Sequence, residues 1–135
     1  MEGVSRGAKE SGGKTYGVTA DFFERSANTW IDEEIRVRTW QDRLFELVRR
    51  ADGFVACKGG TGTLVELAVV WEMLNKSVIR GKPMVVLGDF WTPILDRVRE
   101  VELGHPGIWG EANGKLVEVA ATPALAAGFL RSKLR

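Results

Sequence analysis

The chain has 135 residues, which predicts one domain over residues 1–135, and its 44% hydrophobic and 27% charged residues are typical of a soluble globular protein with a sizeable core. Its 19 basic and 18 acidic side chains leave a net charge of +1, which disfavours a nucleic-acid-binding module or a membrane-surface protein. A single cysteine and a single histidine exclude an internal disulfide and disfavour a cysteine-based zinc cluster or Ser-His-Asp catalysis.

Short apolar runs alternate with longer amphipathic runs along the chain. After an opening helix, a strand is predicted at residues 15–19, then a short strand or loop, then a helix at 39–51. At the start of that helix, Thr39 and Asp42 have the spacing of a capping box. Further on, the same patterns predict strands at 53–57, 84–87 and 116–119, and helices at 61–76, 92–101 and from 122 onwards. The alternation predicts a Rossmann-like α/β fold, with a mostly parallel sheet and helices on both faces.

The helix predicted at residues 61–76 is apolar around most of its circumference. One side carries Leu64, Leu67, Ala68, Trp71 and Leu74, and another carries Val65, Val69, Val70 and Met73. One sheet covers only one face of a helix, so we expect a second helix or a second subunit to cover the rest.

Glycine is the residue in excess, at 16 of 135 positions against a usual share of about 7%. Three glycines lie in Lys58-Gly59-Gly60-Thr61-Gly62-Thr63, between the strand at 53–57 and the next helix. Ligands bind at this edge of a parallel sheet, and the N–H groups of a helix N-terminus favour phosphate. The pattern is neither a Walker loop nor a dinucleotide GxGxxG motif. It indicates a phosphate site, and the alternative is a glycine-rich turn needed only for tight packing.

Glu66 lies about one helical turn beyond this loop. A carboxylate there would face a sugar attached to the bound phosphate, where it would stabilise a cationic sugar or activate water. The alternative is a carboxylate that merely complements the positive end of the helix dipole.

Residues 59–66 match GGxGTxxE, the central motif of the Lonely Guy family, which is often labelled "possible lysine decarboxylase". The chain resembles that family over most of its length, including residues 6–18, 39–54 and 82–91. The resemblance implies a Rossmann-like homodimer that hydrolyses the N-glycosidic bond of AMP or of cytokinin riboside 5'-monophosphates, with no metal and no cofactor. It also implies that Gly59, Gly60, Thr61, Gly62 and Thr63 hold the 5'-phosphate, that Glu66 acts at the ribose, and that Arg43 is the motif arginine.

Three departures from the family pattern keep a second function open. Lys58 stands where the family has proline, Leu44 stands where it has lysine, and the segment that the first residues resemble is internal in the family. We therefore expect an N-terminally truncated member that lacks the family's first βαβ portion. The alternative function is a non-catalytic carrier that holds a nucleotide or the molybdenum cofactor on the same fold, and Arg43 is then an ordinary surface arginine.

Three tryptophans and an acidic run are the remaining residues of interest in the sequence. Trp40 and Trp71 lie on apolar stripes, which favours a place in the core or a dimer interface. Trp91 follows the strand at 84–87 and is a candidate contact to a bound base. The acidic run at 32–34 is predicted to be solvated, or to pair with Arg43 across a dimer.

The lengths of the apolar runs also indicate where in the cell the protein is expected and which partners it has. The first ten residues lack the apolar stretch of a secretory signal, and no later run approaches the roughly 20 residues that span a bilayer. We expect a cytoplasmic protein whose partners are a small-molecule nucleotide and further copies of the chain, with no nucleic acid and no membrane.

Overall fold

A computed structural model describes residues 2–22, 27–105 and 107–134. Its elements, in chain order, are Glu2–Glu10 (α1), Tyr16–Ala20 (β1), Glu33–Val37 (β2), Trp40–Arg50 (α2), Phe54–Ala56 (β3), Thr61–Asn75 (α3), Met84–Leu87 (β4), Thr92–Leu103 (α4), the 3-10 turn Asn113–Lys115, Val117–Ala120 (β5) and Pro123–Lys133 (α5). Every strand pair is parallel. The predicted α/β class with alternating parallel strands and helices is confirmed, and the predicted bounds agree with these elements to within about two residues.

The chain divides into two compact units, residues 1–50 and 51–135. In the first unit β1 and β2 form a parallel pair, with Val18 opposite Ile35, and α2 packs against both strands. The buried hydrophobic side chains described in this unit are Val18 and Ala20 from β1 and Leu44 and Val48 from α2. Hydrogen bonds at the start of α2 confirm that Thr39 caps the helix together with Asp42: the Thr39 hydroxyl accepts from the N–H of Asp42 (3.1 Å) and donates to the Asp42 carboxylate (2.8 Å).

Asp32 corrects the expectation that the acidic run is merely solvated. One carboxylate oxygen accepts hydrogen bonds from the backbone N–H (2.8 Å) and hydroxyl (2.9 Å) of Thr15, and the other accepts from the Lys9 ammonium. Those contacts join the start of β2 to the start of β1 and to α1. The Lys9 hydrogen bond and, next, the two from Thr15 lower the pKa of Asp32 from 3.8 to about 2.

Replacing Asp32 with asparagine is expected to remove part of the acid sensitivity of the fold. Because the pKa of Asp32 is lower in the folded chain, its contribution is complete above pH 3.8 and is lost as the pH falls towards 2. Asp32→Asn should therefore lower the urea midpoint near pH 6, and the difference from wild type should shrink below pH 4. Urea unfolding followed by circular dichroism measures both, with Glu33→Gln as the control, since Glu33 forms a surface ion pair with exposed Lys14. An equal difference at every pH would contradict the assignment.

In the second unit the sheet order is β3-β4-β5. The central strand β4 is the most deeply buried, with Met84, Val85 and Val86 at 1% exposure or less. Helix α5 packs on β4 and β5, and its Ala126 contacts the buried cluster that contains Val85 and Ala120. Because the strands are parallel, their carboxyl ends lie along one edge of this sheet.

Helix α3 buries one side of its apolar surface, through Leu67, Val70, Trp71 and Leu74. Each predicted side also carries an exposed residue, Ala68 on one and Val65, at 39% exposure, on the other. Cover by a second subunit therefore stays a prediction. Of the two tryptophans expected in the core or an interface, Trp71 is buried, whereas Trp40 is 51% exposed and is no core residue.

None of the helices in the described ranges has the length and apolar character needed to cross a bilayer.

Candidate functional site

The glycine loop lies at the carboxyl edge of the second unit's sheet. Strand β3 ends at Ala56 and α3 begins at Thr61, so four residues, 57–60, make the connection. In open parallel sheets this edge is where ligands bind, because the strand-to-helix loops converge there. The sequence prediction for the placement of this loop is confirmed.

Two of the loop glycines differ in what surrounds them. A Cβ at Gly59 would lie 2.8 Å from the Thr63 Cβ and still closer to its hydroxyl, so the Thr63 side chain occupies the space that any other residue at 59 would need. A Cβ at Gly60 or Gly62 would meet no atom of the described residues within 4 Å. Gly59 is thus required for packing within the loop, while Gly60 and Gly62 face open space in which a ligand group could approach the backbone.

The N-terminus of α3 is prepared for an anion. Gly60 is the cap residue and has no side chain with which to cap this end, while its carbonyl accepts from the N–H of Leu64 (3.0 Å). The N–H groups of the first turn, on Thr61, Gly62 and Thr63, have no acceptor inside the helix, and the first turn contains no acidic residue. The positive end of the helix dipole is therefore left without a negative side chain.

Glu66 is half-buried on α3. It follows Gly62 by four residues and Thr63 by three, a spacing that places all three on neighbouring positions of one helix face. The rise between Gly62 and Glu66 is one turn, about 5.4 Å along the axis. A carboxylate and a row of free N–H groups thus lie one turn apart on the same face.

Hydrogen bonds hold the segment after β4 at the carboxyl edge of the second unit's sheet. Gly88, at a φ of +77°, turns the chain and donates from its N–H to the carbonyl of Ala120 (2.8 Å). The indole N–H of Trp91 donates to the carbonyl of Cys57 (2.9 Å), directly before the glycine loop. Trp91 is only 3% exposed, so its ring is a structural contact that offers little surface to a base, and a base contact at Trp91 stays a prediction.

Phe90 is the aromatic residue that sequence reasoning missed. It is 52% exposed, and its ring meets Trp91 edge-on, with centroids 4.8 Å apart at 85°. The sequence places two aromatic residues after β4, but only burial distinguishes the one that faces solvent. Phe90 is therefore an exposed ring packed on Trp91, the residue that bonds Cys57 just before the loop.

Lys58 places a cation beside the loop. Its side chain is exposed and, among the described residues, forms no ion pair. Cys57, the preceding residue, is a half-buried free thiol. The site region thus offers an ammonium group where the family pattern has proline.

Arg43 and Leu44 belong to the first unit, whereas the loop and Glu66 belong to the second. The Nε of Arg43 donates to the carbonyl of Val18 at 3.0 Å, and the residue is half-buried, so this side chain is anchored within the first unit. Leu44 is 5% exposed and packs in the first unit's core. The position of the family's lysine is therefore apolar and closed to solvent.

Within the described ranges, no three His, Cys, Asp or Glu side chains are grouped so that they could hold a metal ion.

The chain is similar to a known protein family and to a solved structure. A family model described as "Possible lysine decarboxylase" matches residues 1–128. A solved structure, that of the molybdenum cofactor carrier protein MCP from Chlamydomonas reinhardtii, is similar with a TM-score of 0.68 and 24% identity, covering 96% of this chain and 68% of that one. No curated protein sequence matches the chain. The structural likeness confirms the Rossmann-like fold.

Proposed function

The chain belongs to the possible lysine decarboxylase family, also called Lonely Guy, and from that premise we propose that it hydrolyses the N-glycosidic bond of a nucleoside 5'-monophosphate. One observation carries the proposal: the uncapped N-terminus of α3 has Glu66 one turn away on the same face. Phosphate and ribose are joined by one bond in such a nucleotide, so the two protein groups are spaced to meet them in turn.

The phosphate is placed on residues 59–63. The N–H groups of Thr61, Gly62 and Thr63 would donate to its oxygens, and the open space at Gly60 and Gly62 lets the backbone approach closely. Because the first turn lacks acidic residues, nothing there repels a dianion. Lys58 adds a positive charge beside it.

Glu66 is placed at the ribose. Cleavage breaks the bond between C1' and the base nitrogen, whose electron pair leaves with the base and takes up a proton. The carboxylate stabilises the positive charge that develops at C1' and accepts a proton from the attacking water, whose oxygen bonds to C1'. The products are the free base and ribose 5-phosphate.

Family membership also suggests what holds the rest of the substrate and how the chains assemble. Phe90 is the exposed ring packed on Trp91 and is the proposed surface for stacking the base. Arg43, the family's motif arginine by sequence position, is proposed to hold the substrate. A homodimer would cover the exposed Val65 and Ala68 on α3. No independent feature supports decarboxylation of lysine.

The reaction itself tests the proposal. Purified protein is incubated with AMP and with N6-substituted AMP, and free base and ribose 5-phosphate are measured by chromatography. Adenosine, which lacks the phosphate, is the control and should remain intact. If neither nucleotide yields free base, the hydrolase proposal is wrong.

A non-catalytic carrier is the second candidate, favoured by Leu44. A buried leucine replaces the family's lysine there, and a similar structure is that of a molybdenum cofactor carrier. In this case the loop holds a nucleotide, or the phosphate of a larger cofactor, without cleaving it. A rise in melting temperature with AMP, without release of base, would favour the carrier over the enzyme.

A further inference from the structure

Three side chains of the second unit, far along the chain from the glycine loop, form a connected polar cluster. The Nδ2 of Asn75, the last residue of α3, donates to a carboxylate oxygen of Glu102 near the end of α4 (3.0 Å). The Nδ2 of Asn113, which opens the 3-10 turn, donates to the Oδ1 of Asn75 (3.1 Å). The Oδ1 of Asn113 accepts from the N–H of Gly110 (2.9 Å). We call Asn75, Glu102 and Asn113 the clasp, because they join the ends of α3 and α4 to the turn before β5.

Asn113 is followed by Gly114, the dipeptide in which asparagine is chemically least stable. A glycine after asparagine has no side chain to hinder attack by its own nitrogen on the neighbouring carboxamide. The structure gives a packing reason for this glycine, since a Cβ at position 114 would lie 3.1 Å from a Leu103 methyl carbon. Both residues of this chemically unstable dipeptide thus have a structural role, Asn113 in the clasp and Gly114 in packing against Leu103.

We propose that Asn113 is a deamidation site and that the hydrogen bonds of the clasp slow its deamidation. The backbone nitrogen of Gly114 bonds to Cγ of Asn113, its proton is lost, and the Cγ–Nδ2 bond breaks to release ammonia. Water then opens the five-membered imide at either carbonyl, leaving aspartate or isoaspartate at position 113. No oxidant or reductant takes part, and water is the only co-reactant.

The folded chain opposes the first step at both reacting groups. The carboxamide is held at its oxygen by Gly110, three residues back along the chain, and at its nitrogen by Asn75. The attacking group is also occupied, because the N–H of Gly114 donates to the carbonyl of Glu111 (3.2 Å). Attack on Cγ requires these hydrogen bonds to open together, so the reaction proceeds only from locally opened molecules.

Once formed, the product cannot rebuild the clasp. A carboxylate at 113 has no proton to donate to the Oδ1 of Asn75. If the Asn75 amide turns to donate to it, Glu102 loses its own hydrogen bond, and two carboxylates then compete for one amide. Deamidation would therefore loosen the junction between the ends of α3 and α4 irreversibly.

Peptide mapping by mass spectrometry tests the proposal on the full chain. Folded wild type, Asn75→Ala and Glu102→Gln are held at mildly alkaline pH and 37 °C, and aspartate and isoaspartate at position 113 are measured over time. Asn75→Ala removes both hydrogen bonds of the clasp, including the one that holds the Asn113 amide nitrogen, and should speed conversion of Asn113 by roughly tenfold. Glu102→Gln keeps an acceptor for Asn75 and should match wild type. Asn28, which precedes Thr29, is the internal reference and should stay unmodified.

Wild type unfolded in urea sets the upper limit, and it should convert Asn113 faster than any folded sample. If Asn75→Ala loses the native circular dichroism spectrum, Asn75→Ser replaces it, since it deletes the same acceptor with a smaller void. Equal rates at Asn113 in wild type and in the folded Asn75 variant would overturn the role of the clasp. Equal rates in folded and unfolded wild type would overturn protection by the fold.

Discussion

Glu66→Gln is expected to lower the turnover of AMP by about 10³-fold while leaving AMP binding nearly unchanged. Glutamine has the shape of glutamate, but it can neither stabilise the positive charge at C1' nor accept a proton from water. The phosphate contacts on residues 59–63 are unaffected by the change. Initial rates of base release, together with calorimetric titration of AMP into each protein, separate catalysis from binding.

Glu72→Gln is the matched control for that experiment. Glu72 lies on the same helix α3, is exposed, and pairs with Lys76 four residues on. It should retain wild-type turnover, because surface pairs of this kind contribute little to stability. If Glu66→Gln hydrolyses AMP as fast as Glu72→Gln, Glu66 has no role at the ribose.

Gly62→Asp is expected to abolish nucleotide binding while preserving the fold. No described atom lies within 4 Å of the Cβ position, and an acidic residue in the first turn complements the helix dipole by about 0.3–1 kcal/mol. The melting temperature should therefore stay the same or rise slightly. The added carboxylate would stand where the phosphate is proposed to bind, and like-charge repulsion should weaken AMP binding by more than about 100-fold.

Gly62→Asn provides the comparison, since asparagine has nearly the same volume and no charge. It should weaken AMP binding less than Gly62→Asp does, and the difference should shrink at high salt because exposed charges are screened. Unchanged AMP affinity in a folded Gly62→Asp protein would place the phosphate elsewhere. Calorimetry at two salt concentrations and a thermal melt of each variant supply the measurements.

Most of the fold could be predicted because its signals are local. β3, β4 and β5 are short apolar runs, and the capping pair Thr39 and Asp42 marks the helix α2 in the sequence itself. β2 was less clear because its charged residues Glu33, Glu34 and Arg36 interrupt the apolar pattern. Its pairing with β1 joins residues that are 17 positions apart, such as Tyr16 and Glu33, and sequence periodicity does not predict such long-range pairs.

Among the site residues, too, those marked by a local sequence pattern could be predicted, and those fixed by long-range contacts could not. The glycine loop follows from a contiguous motif between a strand and a helix, so its place at the sheet edge could be predicted. The choice between Phe90 and Trp91 could not, because it depends on the long-range hydrogen bond from Trp91 to Cys57. Asp32 looked like one of three solvated acids, and its role depends on Thr15 and Lys9, which lie far from it in the sequence.

The backbone N–H groups at the start of α3, where we propose that a phosphate binds, can be observed directly by nuclear magnetic resonance. Titrating AMP into ¹⁵N-labelled protein should shift the amide signals of Thr61, Gly62 and Thr63 in a saturable way. Inorganic phosphate should move the same signals at higher concentration, and adenosine should leave them in place. Saturable shifts at other residues, with these three amides unmoved, would contradict the account.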